Sequence, residues 1–228
     1  MKNFRHKTNM VKLEPLPDEI IDGKRFYTAP SGNKLPSVTT VLGHFKKEKL
    51  IEWQNKVGAD KAERVLHRAS VRGTKFHNMM EKYLLNDTKQ NIFEDVMPDM
   101  KQAFNDARPY IDKIDEIHYI ESPLYSETLG LAGRTDVIAE YDGVASIIDF
   151  KTSLNPKKEA WIDNYFEQGT AYSLMYEELT GIKIEQIVII ISVDHEDKPQ
   201  EFIKNRNDYV DSLKNKIEAY KKEHSNVY

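Results

Sequence analysis

The sequence predicts an α/β sandwich, and three observations carry that reading. Apolar residues recur at helical spacing through the first half, then switch to alternation between residues 117 and 152. A long helical pattern and one further strand follow, so the order is helices, three strands, helix, strand, which describes a sheet covered by helices. The run from Ile187 to Ile191 is aliphatic on both faces of any strand, as a strand buried from both sides requires.

The elements follow in order. Residues 1–15 are polar and basic without a period and are expected to form a mobile arm. Ile20 to Tyr27 reads as a small hairpin turning at Asp22-Gly23. Pro36-Ser37-Val38 is a capped entry into a short helix. Two basic helices are expected at 46–58 and 60–70, then a third from Arg72 to Leu85 with Phe76, Met80, Tyr83 and Leu84 on its apolar face. Another runs from Pro98 to Lys113, with the proline in its first turn. Ile117 to Tyr125, Leu131 to Tyr141 and Val144 to Thr152 are the three alternating strands. Asn155-Pro156 should open a long helix closed by Gly181. Gln186 to Val193 is the buried strand, Glu201 to Ile203 a short edge strand, and 207–224 a charged final helix.

Composition removes several chemistries. The 228 residues contain no cysteine, which excludes disulfides, a thiol nucleophile, Cys-ligated zinc and an iron–sulfur cluster. No phosphate-binding glycine loop of the Walker or dinucleotide type is present. No apolar run approaches the roughly 20 residues that span a bilayer, and no apolar leader argues for secretion, so no membrane association is expected. Net charge is −4, yet residues 44–75 hold nine bases against four acids, and residues 76–130 hold five bases against eleven acids. A basic segment beside an acidic one suits a protein that grips a polyanion with one part and cations with the other, although solvated helix faces explain charge alone equally well.

The chemistry centres on Gly133-Arg134-Thr135-Asp136 and Asp149-Phe150-Lys151. If Asp142-Gly143 is a two-residue loop, cross-strand partners have numbers summing to 285, which sets Asp136 opposite Asp149. Lys151 shares the face of Asp149. Facing carboxylates destabilise a sheet unless a cation compensates them. A lysine could do so in a structural cluster, or a divalent ion held by oxygen ligands. In the following helix the stripe Trp161, Tyr165, Gln168, Tyr172, Met175, Leu179 faces the sheet, with Gln168 its polar interruption. Gln168 is either a buried amide satisfied by backbone or a group reaching toward substrate with Tyr172. His77 and Glu81 share a helical face four residues apart and become ligand candidates if that helix packs beside the hairpin.

Together these residues resemble the PD-(D/E)XK nuclease superfamily, RecB-like branch. The matching pieces are Gly73-x-x-x-His77, the Gly-x-x-Asp ending at Asp136, Asp149-x-Lys151 and Gln168-x-x-x-Tyr172, in that order. Pro36 to Leu42, the Trp53 region, Gly73 to Glu81, and Glu121-Ser-Pro-Leu-Tyr leading into Leu131 to Asp136 are similar to mitochondrial genome maintenance exonucleases and their phage and bacterial relatives. Many RecB-like relatives carry a four-cysteine iron–sulfur clamp; this chain falls in the cysteine-free subset.

The resemblance implies a restriction-endonuclease-like αβββαβ core with a mixed central sheet, and basic N-terminal helices arching over the site. The expected organisation is an arm at 1–15, a hairpin and basic arch at 16–71, and a nuclease core at 72–228, the last two forming one compact unit. By resemblance, His77, Asp136, Asp149 and the Phe150 carbonyl hold one or two Mg²⁺ ions, with Mn²⁺ able to substitute. Lys151 positions the attacking water or stabilises charge, acting as base only if its pKa falls strongly. Gln168 and Tyr172 orient the nucleotide, Glu81 supports the metal site or joins its ligands, and Glu121 is a weaker candidate for the same role, with a strand-edge charge as its alternative. Lys46, Lys47, Lys49, Lys56, Arg64, Arg68, Arg72, Lys75 and Arg134 are expected to meet phosphates. Tyr27, Phe45 or Trp53 are candidate stacking rings, with packing the plainer reading of Trp53.

The implied activity is a metal-dependent DNA exonuclease on single-stranded ends threaded through the basic passage, working as a monomer. The alternatives are a structure-specific endonuclease or resolvase on the same core, and a non-catalytic nucleic-acid-binding module. A bacterial or phage-infected cytoplasm is the expected setting. The mitochondrial matrix is the alternative, because the first twelve residues are basic and free of acids.

Overall fold

Two short turns organise the chain in the computed structural model, which describes residues 2–87, 92–93 and 96–224. Asp22 and Gly23, at φ 49° and 74°, join β1 (Asp18–Ile21) to β2 (Lys24–Thr28). Asp142 and Gly143, at φ 48° and 79°, join β5 (Leu131–Tyr141) to β6 (Val144–Ser153). Positive φ at both loop positions matches the right-handed twist of the flanking strands. The expected register is observed, with Tyr141 opposite Val144 and Val137 opposite Ile148.

With β4 (Ile114–Ser126), β7 (Gln186–Val193) and β8 (Gln200–Asn205) the main sheet has the order β4-β5-β6-β7-β8. Only β6 and β7 are parallel. A parallel pair needs a crossover, supplied by α5 (Asp163–Thr180). A second, three-stranded sheet is built from β1, β2 and β3 (Lys34–Pro36).

Helices cover both faces of the main sheet. On one, α3 (Ala59–Leu84) and α4 (Pro98–Ile111) bury Phe76, Met80 and Phe104 with Val137, Ile148, Val188 and Ile190. On the other, α1 (Val38–His44), α5 and α6 (Val210–Glu223) bury Val41, Met175 and Ile217 with Ile138 and Ile147. Phe166 of α5 packs with Ile187, Ile189 and Ile191. Alternate residues of β7 thus face opposite helix layers, which is why five aliphatic residues run together. A Cβ on Gly169 would lie 2.5 Å from Ile187 Cγ2, so glycine there lets α5 approach the sheet closely. Ser37 caps α1 by accepting from the Thr40 N–H at 2.9 Å.

Four expectations need correction. Residues 2–7 are packed rather than free: Phe4 is buried, Lys2 donates to the Asp112 and Ile114 carbonyls, and Lys7 N–H donates to the Ile117 carbonyl. One apolar anchor in a polar stretch has no period to reveal it. The helices expected at 60–70 and 72–85 are one continuous α3, because an interior glycine costs a helix only about 1 kcal/mol. The helix expected from Asn155-Pro156 starts at Asp163 instead. Gln200 accepts from the Lys157 N–H at 2.6 Å, holding that segment extended, and Trp161 lies in a preceding 3₁₀ turn, 62% exposed. Finally, β4 begins three residues earlier than expected, because Glu116 at φ 42° lies in an irregularity that shifts its register and hides the alternation.

Candidate active site and metal centre

The ladder between β5 and β6 stops at Val137 and Ile148, one pair before Asp136 would face Asp149. Facing carboxylates repel, and an end to the pairing there lets the two groups find other partners. The Phe150 N–H donates to Asp136 Oδ2 at 2.8 Å. From α3, His77 Nδ1 comes within 3.3 Å of the same oxygen and 4.0 Å of Glu121 Oε1. One ligand atom each from His77, Glu121 and Asp136 lies within 4.8 Å of the others. Glu121 takes its place at φ 45°, inside β4. That conformation costs a non-glycine residue roughly 1–2 kcal/mol, and such strain is retained where the surroundings hold it.

Asp149 is only 1% exposed, and neither carboxylate oxygen has a hydrogen-bond partner in good geometry. The Lys151 ammonium approaches Oδ2 at 2.5 Å as an ion pair. Burial pushes the Asp149 carboxyl up to about 6, with Lys151 opposing and Asp136 adding to the rise. Burial also favours protonation of Asp136, but the hydrogen bond and charge of His77 outweigh it and hold that carboxyl below its usual range. Burial works against a charged His77, yet its bonds to Asp136 and Glu121 raise it to about 10. Lys151 is also raised: burial opposes its charge, and Asp149 and Asp136 prevail.

The α5 side chains complete the cluster. Lys151 Nζ donates to Gln168 Oε1 at 3.3 Å, and Gln168 Nε2 donates to the Tyr172 hydroxyl at 3.3 Å. The half-buried Gln168 amide thus bonds to site residues. Gly133 makes room for this tyrosine, since a Cβ there would lie 2.8 Å from its ring. Gly73 has no such duty, because its Cβ would meet Thr152 Oγ1 at an ordinary 3.8 Å. Glu81 lies within the electrostatic reach of Glu121 and Arg134; burial, then Glu121, raises its carboxyl.

This donor set fits a hard divalent cation. It offers carboxylates with unsatisfied buried oxygens and one imidazole nitrogen, and it concentrates negative charge that two cationic side chains only partly offset. Glu121, expected as a supporting group or a possible ligand, stands in the ligand-atom cluster with His77 and Asp136. The Phe150 N–H is in use on Asp136, which leaves its carbonyl as the candidate ligand. Sequence reasoning also leaves out Tyr165, whose ring receives Lys151 at 5.2 Å and Lys46 at 5.4 Å. Its place in the α5 stripe, three residues before Gln168, was the available signal.

The expected phosphate-binding residues separate into two groups. The helix α2 (Lys47–Val57) buries no side chain, and Lys47, Lys49, Lys56 and Arg64 are exposed. Arg134 is exposed, Lys75 and Trp53 are half-buried, and the exposed Arg68 is 3.7 Å from Asp194. Arg72 differs. Its guanidinium is 11% exposed and is 2.6 Å from Asp194 and 3.5 Å from Asp99, so it braces α3 against the end of β7 instead of awaiting a phosphate. Tyr27 is buried.

A family model described as the PD-(D/E)XK nuclease superfamily matches residues 52–225. The chain belongs to this superfamily. Its mixed five-stranded sheet between helices is the restriction-endonuclease-like arrangement that the resemblance implied. The chain is also similar to mitochondrial genome maintenance exonuclease 1 of Homo sapiens, 27% identical over 139 residues, which is 55% of this chain and 38% of that protein. The Mus musculus protein of the same name is 26% identical over 133 residues, 55% of this chain and 39% of the relative. The chain thus spans about two fifths of the length of these relatives. No helix among the described residues is long and apolar enough to cross a membrane.

Proposed function

We propose that the protein is a metal-dependent deoxyribonuclease that removes nucleotides from single-stranded DNA ends, acting as a monomer. The observation that carries the reading is the unsatisfied, buried Asp149 carboxylate beside Asp136, with His77 and Glu121 gathered on the same side chain. His77, Glu121, Asp136 and Asp149 would hold Mg²⁺, or Mn²⁺ in its place. A bound divalent ion supplies charge neutralisation at the scissile phosphate and a water acidified enough to attack it.

The remaining chemistry falls to the chain itself. Lys151, paired with Asp149 at 2.5 Å, offers a cation to charge developing on the phosphate oxygens. Gln168 accepts from the Lys151 ammonium and is itself held by donating to Tyr172, and the two side chains orient the nucleotide. Asp136 holds His77 and the Phe150 N–H, which fixes its own orientation. Glu81 shapes the field around Glu121. The exposed bases of α2 and α3 track the phosphate backbone toward the site.

The exonuclease reading is supported by similarity to proteins named exonucleases and by basic helices standing off the sheet. It is tested with linear and circular single strands of one sequence in Mg²⁺. Linear DNA should disappear as mononucleotides or short products, and circles should persist. Rapid cutting of circles, or discrete internal cuts, would assign the endonuclease alternative.

A further inference from the structure

A cleft of about 750 Å³ lies between α2 and the 3₁₀ turn before α5, lined among others by Phe45, Lys46, Lys49, Trp53, Trp161 and Lys216. It contains both tryptophans of the chain. Trp161 is 62% exposed, with Lys158 over its ring at 5.1 Å, and is unlike the buried rings that build the core. An exposed indole beside cations is expensive to leave in water and well suited to an aromatic ligand.

The charges select the ligand further. Lys216 is neutralised by Glu167, whose carboxylate takes it at 2.6 Å through both oxygens. Lys46 and Lys49 remain against Asp163, and Lys49 has no ion-pair partner among the described residues. Lys46 donates to Asn164 Oδ1 at 2.5 Å and lies over the Tyr165 ring. Partial burial, then repulsion from Lys216 and Lys157, lowers its pKa, with Glu167 opposing and Lys151 adding a little, so lysines crowd around it. An anion would relieve that crowding. The same Tyr165 ring receives Lys151, so one aromatic side chain connects the cleft to the catalytic cluster. Aromatic faces, uncompensated lysines and continuity with the site together describe a base with its phosphate.

We propose that this cleft seats an unpaired nucleobase of the substrate strand on Trp161 and Trp53, with Lys46 and Lys49 at the adjoining phosphates. The inference rests on the nuclease reading above and adds to it the means of choosing single strands. A base inside a duplex has both faces stacked on its neighbours and its edge paired, so it cannot enter. The residue that sequence periodicity assigned to a buried helical stripe, Trp161, becomes the specificity-determining ring.

The test measures binding by the full chain in EDTA at one fixed salt concentration, which leaves cleavage out of the readout. The probes are a labelled oligothymidylate and a blunt duplex of equal length. Trp161→Ala should raise the single-strand Kd about tenfold, Trp161→Phe should recover most of the loss, and duplex binding should change less than about twofold. A single abasic residue moved along the oligonucleotide should weaken wild-type binding at one position, and at none in Trp161→Ala. Unchanged single-strand affinity in Trp161→Ala, equal loss for duplex, or no single-strand binding by the wild type would each overturn the proposal. Matching circular dichroism of the variants excludes misfolding as the cause of a loss. Binding as expected without any Mg²⁺-dependent cleavage would keep the cleft and remove the nuclease reading; cleavage with Trp161-independent binding would do the reverse.

Discussion

Asp149 is a buried carboxylate whose oxygens lack hydrogen bonds among the described residues, and the Lys151 ammonium only partly offsets the cost of burying its charge. Its carboxyl stands at about 6, above the ordinary 3.8. Between those values the folded chain binds more protons than the unfolded chain. The contribution of this group to metal-free stability is therefore fully present below about 3.8 and is lost as pH rises to about 6. Asp149→Asn removes the buried charge while keeping the shape. In EDTA, urea unfolding at pH 4 and at pH 8 should show wild type losing more stability over that interval than the variant, which no longer carries the titrating carboxyl. An equal loss in both proteins would contradict this account of the site. The neighbourhood of Asp136, Asp149 and Lys151 was legible because a two-residue turn fixes cross-strand partners by arithmetic, but the expected pairing of Asp136 with Asp149 lies one step past the end of the ladder at Val137 and Ile148. Glu121 was legible as a candidate through the resemblance, while the left-handed conformation that places it inside β4 has no signal in the alternation.

At the scale of elements, α3 joins two functions in one rigid body. Its C-terminal half packs on the sheet and presents His77, while of residues 59–75 only Ala62 is buried, and this half carries exposed bases. Arg72 stands between the halves, held by Asp194 and Asp99. Removing one member of a buried pair leaves the other uncompensated, so Arg72→Ala should cost about 3 kcal/mol in urea unfolding. Arg68→Ala, on the exposed side of the same helix, should cost under about 0.5 kcal/mol. Equal effects would show that Arg72 is not the brace. Sequence patterning assigned both arginines to phosphate contact because charge alone does not distinguish a solvated base from one already paired. It also divided α3 in two, at 60–70 and Arg72 to Leu85, where the structure has one continuous helix. The strands β5 and β7 were read to their full extent, since alternation and an aliphatic run leave few alternatives.

For the whole molecule, the site lies where the sheet, α3 and α5 meet, and a cation bound there would link all three. A ligand that binds only the folded state raises its stability by mass action, by about 2.7 kcal/mol at a hundredfold excess over Kd. Thermal unfolding should therefore move upward in Mg²⁺ or Mn²⁺ for wild type and stay fixed for Asp136→Ala. An equal shift in both proteins would place the ion elsewhere. The α/β sandwich was legible from the order of periodicities. The docking of residues 2–7 and the late start of α5 were not, because single long-range contacts such as Phe4 in the core or Gln200 on Lys157 leave no local pattern. The most direct measurement of the central claim is digestion of end-labelled single-stranded DNA by purified protein with and without Mg²⁺. The account expects cleavage by wild type only with the metal, and at least about a hundredfold loss in both Asp149→Ala and Lys151→Ala; full-rate cleavage by either variant, or by wild type in EDTA, would contradict it.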